Sequence, residues 1–131
     1  MNLALLKTLK DLIGDPSCVV DLYPQLYSGM FIVVVQKGSG DSINTMHFLT
    51  YPCKDKTREL PIFTNSEFVI KNLPNDVALV NTSGEMLWRR LLEVMESEEF
   101  VAVDPGQKHG IRLSRTMILG MVSKYGQANT I

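Results

Sequence analysis

Apolar and polar positions follow two different rhythms along this chain. In the first stretch, Leu6, Leu9 and Ile13 recur at helical spacing, with Leu5 and Leu12 beside them and Lys7, Lys10 and Asp11 opposite. That pattern predicts an amphipathic helix ended by Gly14. Asp15-Pro16 pairs a capping residue with proline at the first helical position, so a second helix is expected over 16–23, bent or closed by Pro24. The rhythm then changes. Residues 30–35 are continuously apolar and mostly β-branched, which predicts a strand covered on both faces. A polar glycine-rich turn at 37–41 leads to a returning strand over 43–51, with Met46 and Phe48 on one face and Thr45, His47 and Leu49 on the other. Pro52 stops it, 53–58 is an exposed connection, and 59–63 is the third strand. Connections this short make the three an antiparallel meander.

From residue 59 onward, strands run straight into helix starts. Leu60, Ile62 and Phe63 supply β-favouring bulk, with Phe63 expected in the core, and Thr64 with Glu67 has capping-box spacing. Thr82 and Glu85 repeat that spacing after a fourth strand at 77–80. A short helix is expected after Thr64 and a longer one over 83–95, its core stripe formed by Leu87, Leu91, Val94 and Met95 and widened by Trp88 and Leu92. A fifth strand at 100–103, a polar turn at 104–110 and a brief strand at 111–113 follow. Ser114 caps the last helix, whose apolar positions are Met117, Ile118, Met121, Val122 and Tyr125. Residues 127–131 are expected to fray.

These elements predict one α+β domain over residues 1–131. Its single mixed sheet begins as an antiparallel meander, continues with strands joined by helices, and is flanked by α-helices. A strand–helix–strand connection within one sheet runs parallel, so the carboxyl ends of strands three, four and five should share one edge. That edge gathers Thr64, Asn81, Ser83, Asp104 and the loop to His109, which are the candidate binding residues.

Composition narrows the classes. The chain has 131 residues, 45% hydrophobic and 21% charged, which suits one globular domain. A formal net charge of −1 gives no basic excess for nucleic acid. No apolar run reaches membrane-spanning length, and the first seven residues show no basic leader, so a cytoplasmic protein away from the membrane is expected. Cys18 and Cys53 are too few for a disulfide framework and read as reduced thiols, with a single bridge left open.

Three segments then resemble a known family: Leu60-Pro61-Ile62-Phe63-Thr64, Thr82-Ser83-Gly84-Glu85-Met86-Leu87 and Val101-Ala102-Val103-Asp104-Pro105-Gly106. Their order and spacing are similar to the amino-terminal domain of the bacterial SseB family, named for enhanced serine sensitivity, over roughly residues 3–113. The family's turn usually reads Asn-Pro-Gly where this chain has Asp104, and longer members carry a second, carboxy-terminal domain. The resemblance implies the fold and no catalytic signature. The unrelated secretion translocator of the same name contributes nothing.

Residues that could carry chemistry have plainer readings. His47 and Cys53 are near in sequence, yet no nucleophile signature accompanies them. The two Cys and two His are scattered without zinc spacing, so no metal or other cofactor is expected. Lys37-Gly38-Ser39-Gly40 lacks the order of a phosphate-binding loop. Glu96, Glu98 and Glu99 read as a solvated acidic loop, Arg89-Arg90 as a solvated helix face, and Met86, Met95, Met117 and Met121 mainly as core filler. The expectation is a non-enzymatic binding or regulatory module for a protein or peptide partner, with a homodimer also possible. The alternative is a sensor of an amino-acid-like small ligand with a pocket at the sheet edge.

Overall fold

The structure, a computed structural model, describes residues 2–38, 42–43 and 45–126. Parts of the expected glycine-rich turn and returning strand, the tail at 127–131, and the side chain of Cys18 lie outside the described residues. Helix α1 (Leu3–Gly14) is followed by a 3₁₀ turn (Pro16–Cys18) capped by Asp15, whose carboxylate accepts from the Ser17 N–H at 3.1 Å. Helix α2 (Val19–Ser28) contains Pro24 rather than stopping at it. Then come strands β1 (Met30–Gln36), β2 (Tyr51–Pro52), β3 (Arg58–Phe63) and β4 (Val77–Ser83). Helix α3 (Gly84–Val94), strands β5 (Glu99–Val103) and β6 (Ile111–Ser114), and helix α4 (Arg115–Met121) complete the chain, with a π turn at Val122–Gly126.

The sheet is open and mixed, in the order β4-β1-β3-β5-β6, with β2 against β3. Strand β1 runs antiparallel to both β4 and β3, β3 is parallel to β5, and β6 is antiparallel to β5. The early pairings are antiparallel as expected, but β3 lies directly against β1 and runs opposite to it, where the outer strands of a meander would run the same way, and the returning strand shrinks. Only Ile32 and Val33 pair directly with β3. Beyond them β1 and β3 diverge, and residues 47–52 fill the gap. The Leu49 N–H donates to Val34 O, the Gln36 N–H donates to His47 O, and Tyr51–Pro52 pairs with Arg58 and Glu59. A segment wedged between two diverging strands meets one neighbour and then the other, so it forms no long ladder of its own.

All four helices pack on one face. Phe31, Val33, Val35, Leu60, Ile62, Val101, Val103 and Leu113 point to that side, against Leu5, Leu9, Leu22, Leu26, Leu87, Trp88, Leu91, Ile118 and Met121. Gly84 permits the tightest join. A Cβ there would lie 2.6 Å from Leu26 O, and the Trp88 indole N–H donates to that same carbonyl at 2.9 Å. The opposite face, with Val34, Pro61, Phe63 and Ala102, is buried without a helix. Residues 64–76 cross it, leaving a groove of about 540 Å³ between Pro61, Leu49 and Tyr51 on one side and Ile70, Leu73 and Pro74 on the other. Strand β1 is thus covered on both faces, and Phe63 is fully buried.

Several helix details differ from the sequence pattern. In α1 the buried residues are Leu5, Thr8 and Leu9, while Ile13 is exposed. Five leucines around one helix leave its inner face ambiguous, and packing on α2 selects it. Met95 and Met121 are core, whereas Met86 and Met117 face solvent. In α3, Val94 is also exposed, at the last position of the helix.

Candidate functional site

Strands β3 and β4 both oppose β1, and β5 is parallel to β3, so all three point the same way. Their carboxyl ends therefore share one edge of the sheet, as the sequence predicts. The route differs: β1 lies between β3 and β4, and their connection holds a single 3₁₀ turn (Ser66–Phe68) in place of a helix.

At this edge the chain turns after β5 through Asp104-Pro105-Gly106-Gln107, closed by the Gln107 N–H donating to Asp104 O at 3.1 Å. Gly106 takes φ +86° at the position where the turn needs a left-handed residue. Asp104 itself has φ +51°, a conformation that Asp and Asn tolerate best among non-glycine residues, so it satisfies the backbone of the Asn-Pro-Gly pattern. Its carboxylate is fully enclosed and accepts from the Thr64 N–H (2.8 Å) and the Thr64 hydroxyl (2.6 Å), with His109 Nε2 at 2.8 Å. His109, also buried, packs its ring edge-on to Phe68 at 4.9 Å. A buried carboxylate is tolerated when its oxygens are fully engaged, and here they fasten the end of β3 to the β5–β6 loop.

Thr64, Asp104 and His109 are thus brought together as expected, but facing one another. Thr64 does not cap the turn that follows. Asn65 does, its side chain accepting from the Glu67 N–H at 3.1 Å. The second capping box shifts by one residue in the same way: Thr82 belongs to β4, and the Ser83 hydroxyl accepts from the Met86 N–H at 3.3 Å. Of the five candidates, Asn81 alone is exposed.

The sequence reading missed Asn2. Its carboxamide behaves like a strand residue opposite Met30, accepting from the Met30 N–H at 3.0 Å and donating to Met30 O. It also donates to Thr64 O at 3.0 Å, so one side chain ties α1 to the start of β1 and the end of β3. No periodicity marks such a residue. Beside it opens a cleft of about 410 Å³ lined by Leu3, Leu6, Met30 and Ile32, with Asn65, Ser66 and Asn81 as its polar rim. Among the described residues, no charged side chain lines it.

A second cleft, of about 330 Å³, lies at the opposite edge between His47, Phe48, Leu60, Arg90, Met95 and Glu99. Arg90 is not the solvated residue its sequence suggests. Its Nη1 bonds Glu93 at 3.3 Å, while its Nε is enclosed with no partner among the described residues. The acidic loop alongside is self-contained: Glu99 accepts from the Glu96 N–H at 2.8 Å. Hydrogen bonding and charge repulsion from Glu98 hold the Glu96 carboxyl above its usual range, and the same hydrogen bond holds Glu98 below.

Cys53 is a free thiol, and burial together with Glu59 pushes its pKa up, which works against a reactive thiolate. Among the described residues, no group of three or more His, Cys, Asp or Glu is placed to hold a metal ion. Among them, too, no helix is long and apolar enough to cross a membrane.

Fold and edge together define an α+β domain whose uncharged cleft sits where parallel strands end. The family model of the SseB protein N-terminal domain matches residues 4–119, and the chain belongs to that family. No curated protein and no solved structure matches it.

Proposed function

We propose that this chain is a non-enzymatic binding or regulatory module that recognises a protein or peptide partner at the carboxyl edge of its sheet, in the cytoplasm. One observation carries the reading. The two ionisable candidates at that edge, Asp104 and His109, are enclosed and bonded within the fold, while its cleft offers solvent apolar side chains beside uncharged amides and hydroxyls. Such a surface suits partner side chains and main-chain groups better than it suits bond-breaking chemistry. Amide chemical shifts recorded while a library-selected peptide is titrated in should move at Asn65, Ser66 and Asn81. Shifts confined to Met117 and Met121 would relocate the site to α4 and defeat the reading.

A small-ligand sensor is the second reading, and Arg90 favours it. A half-buried guanidinium with an unpartnered Nε, facing Glu99 across a cleft, offers both signs of charge to a zwitterion such as an amino acid. A thermal-shift screen with free amino acids tests it, since a ligand that binds only the folded state raises the melting temperature.

A further inference from the structure

The two clefts, the groove over Pro61 and the solvent-facing methionines each leave their occupant open, but the outer edge of β4 specifies one. The geometry of β1 fixes which way β4 faces. Gln36 and Val34 exchange hydrogen bonds with His47 and Leu49, on the β3 side of β1, so Phe31, Val33 and Val35 turn their main chains toward β4. Their partners there are Thr82, Val80 and Ala78. The Lys37 N–H to Asp76 O and Gly84 N–H to Gly29 O bonds continue the same register at both ends. Val77, Leu79 and Asn81 therefore point their N–H and C=O groups outward, and among the described residues nothing pairs with them.

This edge lacks the usual protections. It is seven residues long, contains no charge and no proline, and leaves Leu79 51% exposed. The cleft beside Asn2 continues from its end, because Asn81 and Ile32, paired across β4 and β1, both line that cleft.

We propose that β4 accepts an extended segment of another protein as an added strand. Resting on the partner-binding reading above, this names the partner's form. Main-chain pairing with Val77, Leu79 and Asn81 would supply affinity, and alternate side chains meeting Leu79 and the cleft would supply selectivity. Charge at the cleft end favours a Lys or Arg in the partner. Glu67 and Glu85 flank that end, and the segments forming it, residues 2–6, 29–32, 64–67 and 81–86, contain no basic residue. A second copy of this chain fits worse, since a two-fold antiparallel pairing sets Asp76 of one copy toward Glu85 of the other.

The test uses peptides of about ten residues, enough for one strand, selected from a display library against the full chain and then synthesised. Bound peptide should slow amide hydrogen exchange at Val77, Leu79 and Asn81 by about tenfold or more, with Ala78 and Val80 unchanged because β1 already protects them. Leu79→Pro should weaken binding by about tenfold or more while leaving the melting temperature nearly unchanged, since its N–H points outward. Should Leu79→Pro fold poorly, Leu79→Lys, a natural edge guard, should give the same loss. Peptides that bind both variants normally, or that protect other amides, overturn the strand proposal and leave partner binding standing. Failure to select any peptide defeats both. Sedimentation showing a dimer that Leu79→Lys dissociates assigns the edge to a second copy and overturns the proposal.

Discussion

The two edges of the sheet are built in opposite ways. Strand β6 has four residues, includes Arg112, and passes directly into α4. Arg112 lies back across the sheet, 4.1 Å over the Phe100 ring, to reach Glu59 at 2.7 Å, Asp55 at 3.7 Å and the Thr57 hydroxyl at 2.9 Å. Strand β4 is nearly twice as long, uncharged, and carries exposed Leu79. Shortness and charge are the common means of closing a sheet edge to further pairing. The chain applies both to β6 and neither to β4, so the contrast marks one edge as closed and the other as open for addition.

Substitutions can test that contrast in order of size. Phe63 belongs to neither edge, being fully buried on the central strand, and sets the scale: Phe63→Ala should cost about 3–5 kcal/mol in a urea melt. A loss under about 1 kcal/mol would mean that the face crossed by residues 64–76 is not a core. Next is Val80→Pro, which removes an N–H directed at Val33 and should cost on the order of 3 kcal/mol, whereas Leu79→Pro one position away should cost less than about 1. Equal losses for the two prolines would reverse the assignment of inward and outward residues.

Arg112→Ala should cost about 1 kcal/mol, because its ion pairs are partly solvated and its stacking on Phe100 adds a modest amount. The smallest effect is set by pH where β2 meets β3. Burial, assisted by Glu59, pushes the Tyr51 hydroxyl from 10.0 up to about 12. Between those values the folded state keeps a proton that the unfolded chain releases. Stability present below about pH 10 should therefore decline toward pH 12, and Tyr51→Phe should flatten that decline.

Local signals in the sequence read well where the residues involved answer only to their neighbours. Ser114 caps α4 as its position suggests, and Phe31, Val33, Val34 and Val35 of the apolar run in β1 are buried, on both faces of the sheet. The reading fails where a distant partner intervenes. Thr64 has the spacing of a cap, but Asp104, forty residues on, takes its hydroxyl and N–H, so Asn65 becomes the cap instead. Residues 43–51 alternate like a strand, yet the divergence of β1 and β3 splits their pairing between two neighbours. Strand direction was enough to bring Thr64, Asn81, Ser83, Asp104 and His109 to one edge. Which of them faces solvent depends on side-chain bonds that span the chain, and Leu3 and Leu6 reach the cleft from an N-terminal helix that no local motif places there.

The parallel pairing of β3 with β5 has a consequence for how the domain is made. Arg58 waits for Glu99 and Ile62 for Val103, so the middle of the sheet closes only after most of the chain has left the ribosome. Until then Leu60, Ile62 and Phe63 form an apolar strand with one side unpaired. Pairings this far apart in sequence slow folding, because the loop must close before its contacts can form. During synthesis this domain should therefore depend on chaperones most strongly in the interval between the emergence of β3 and that of β5.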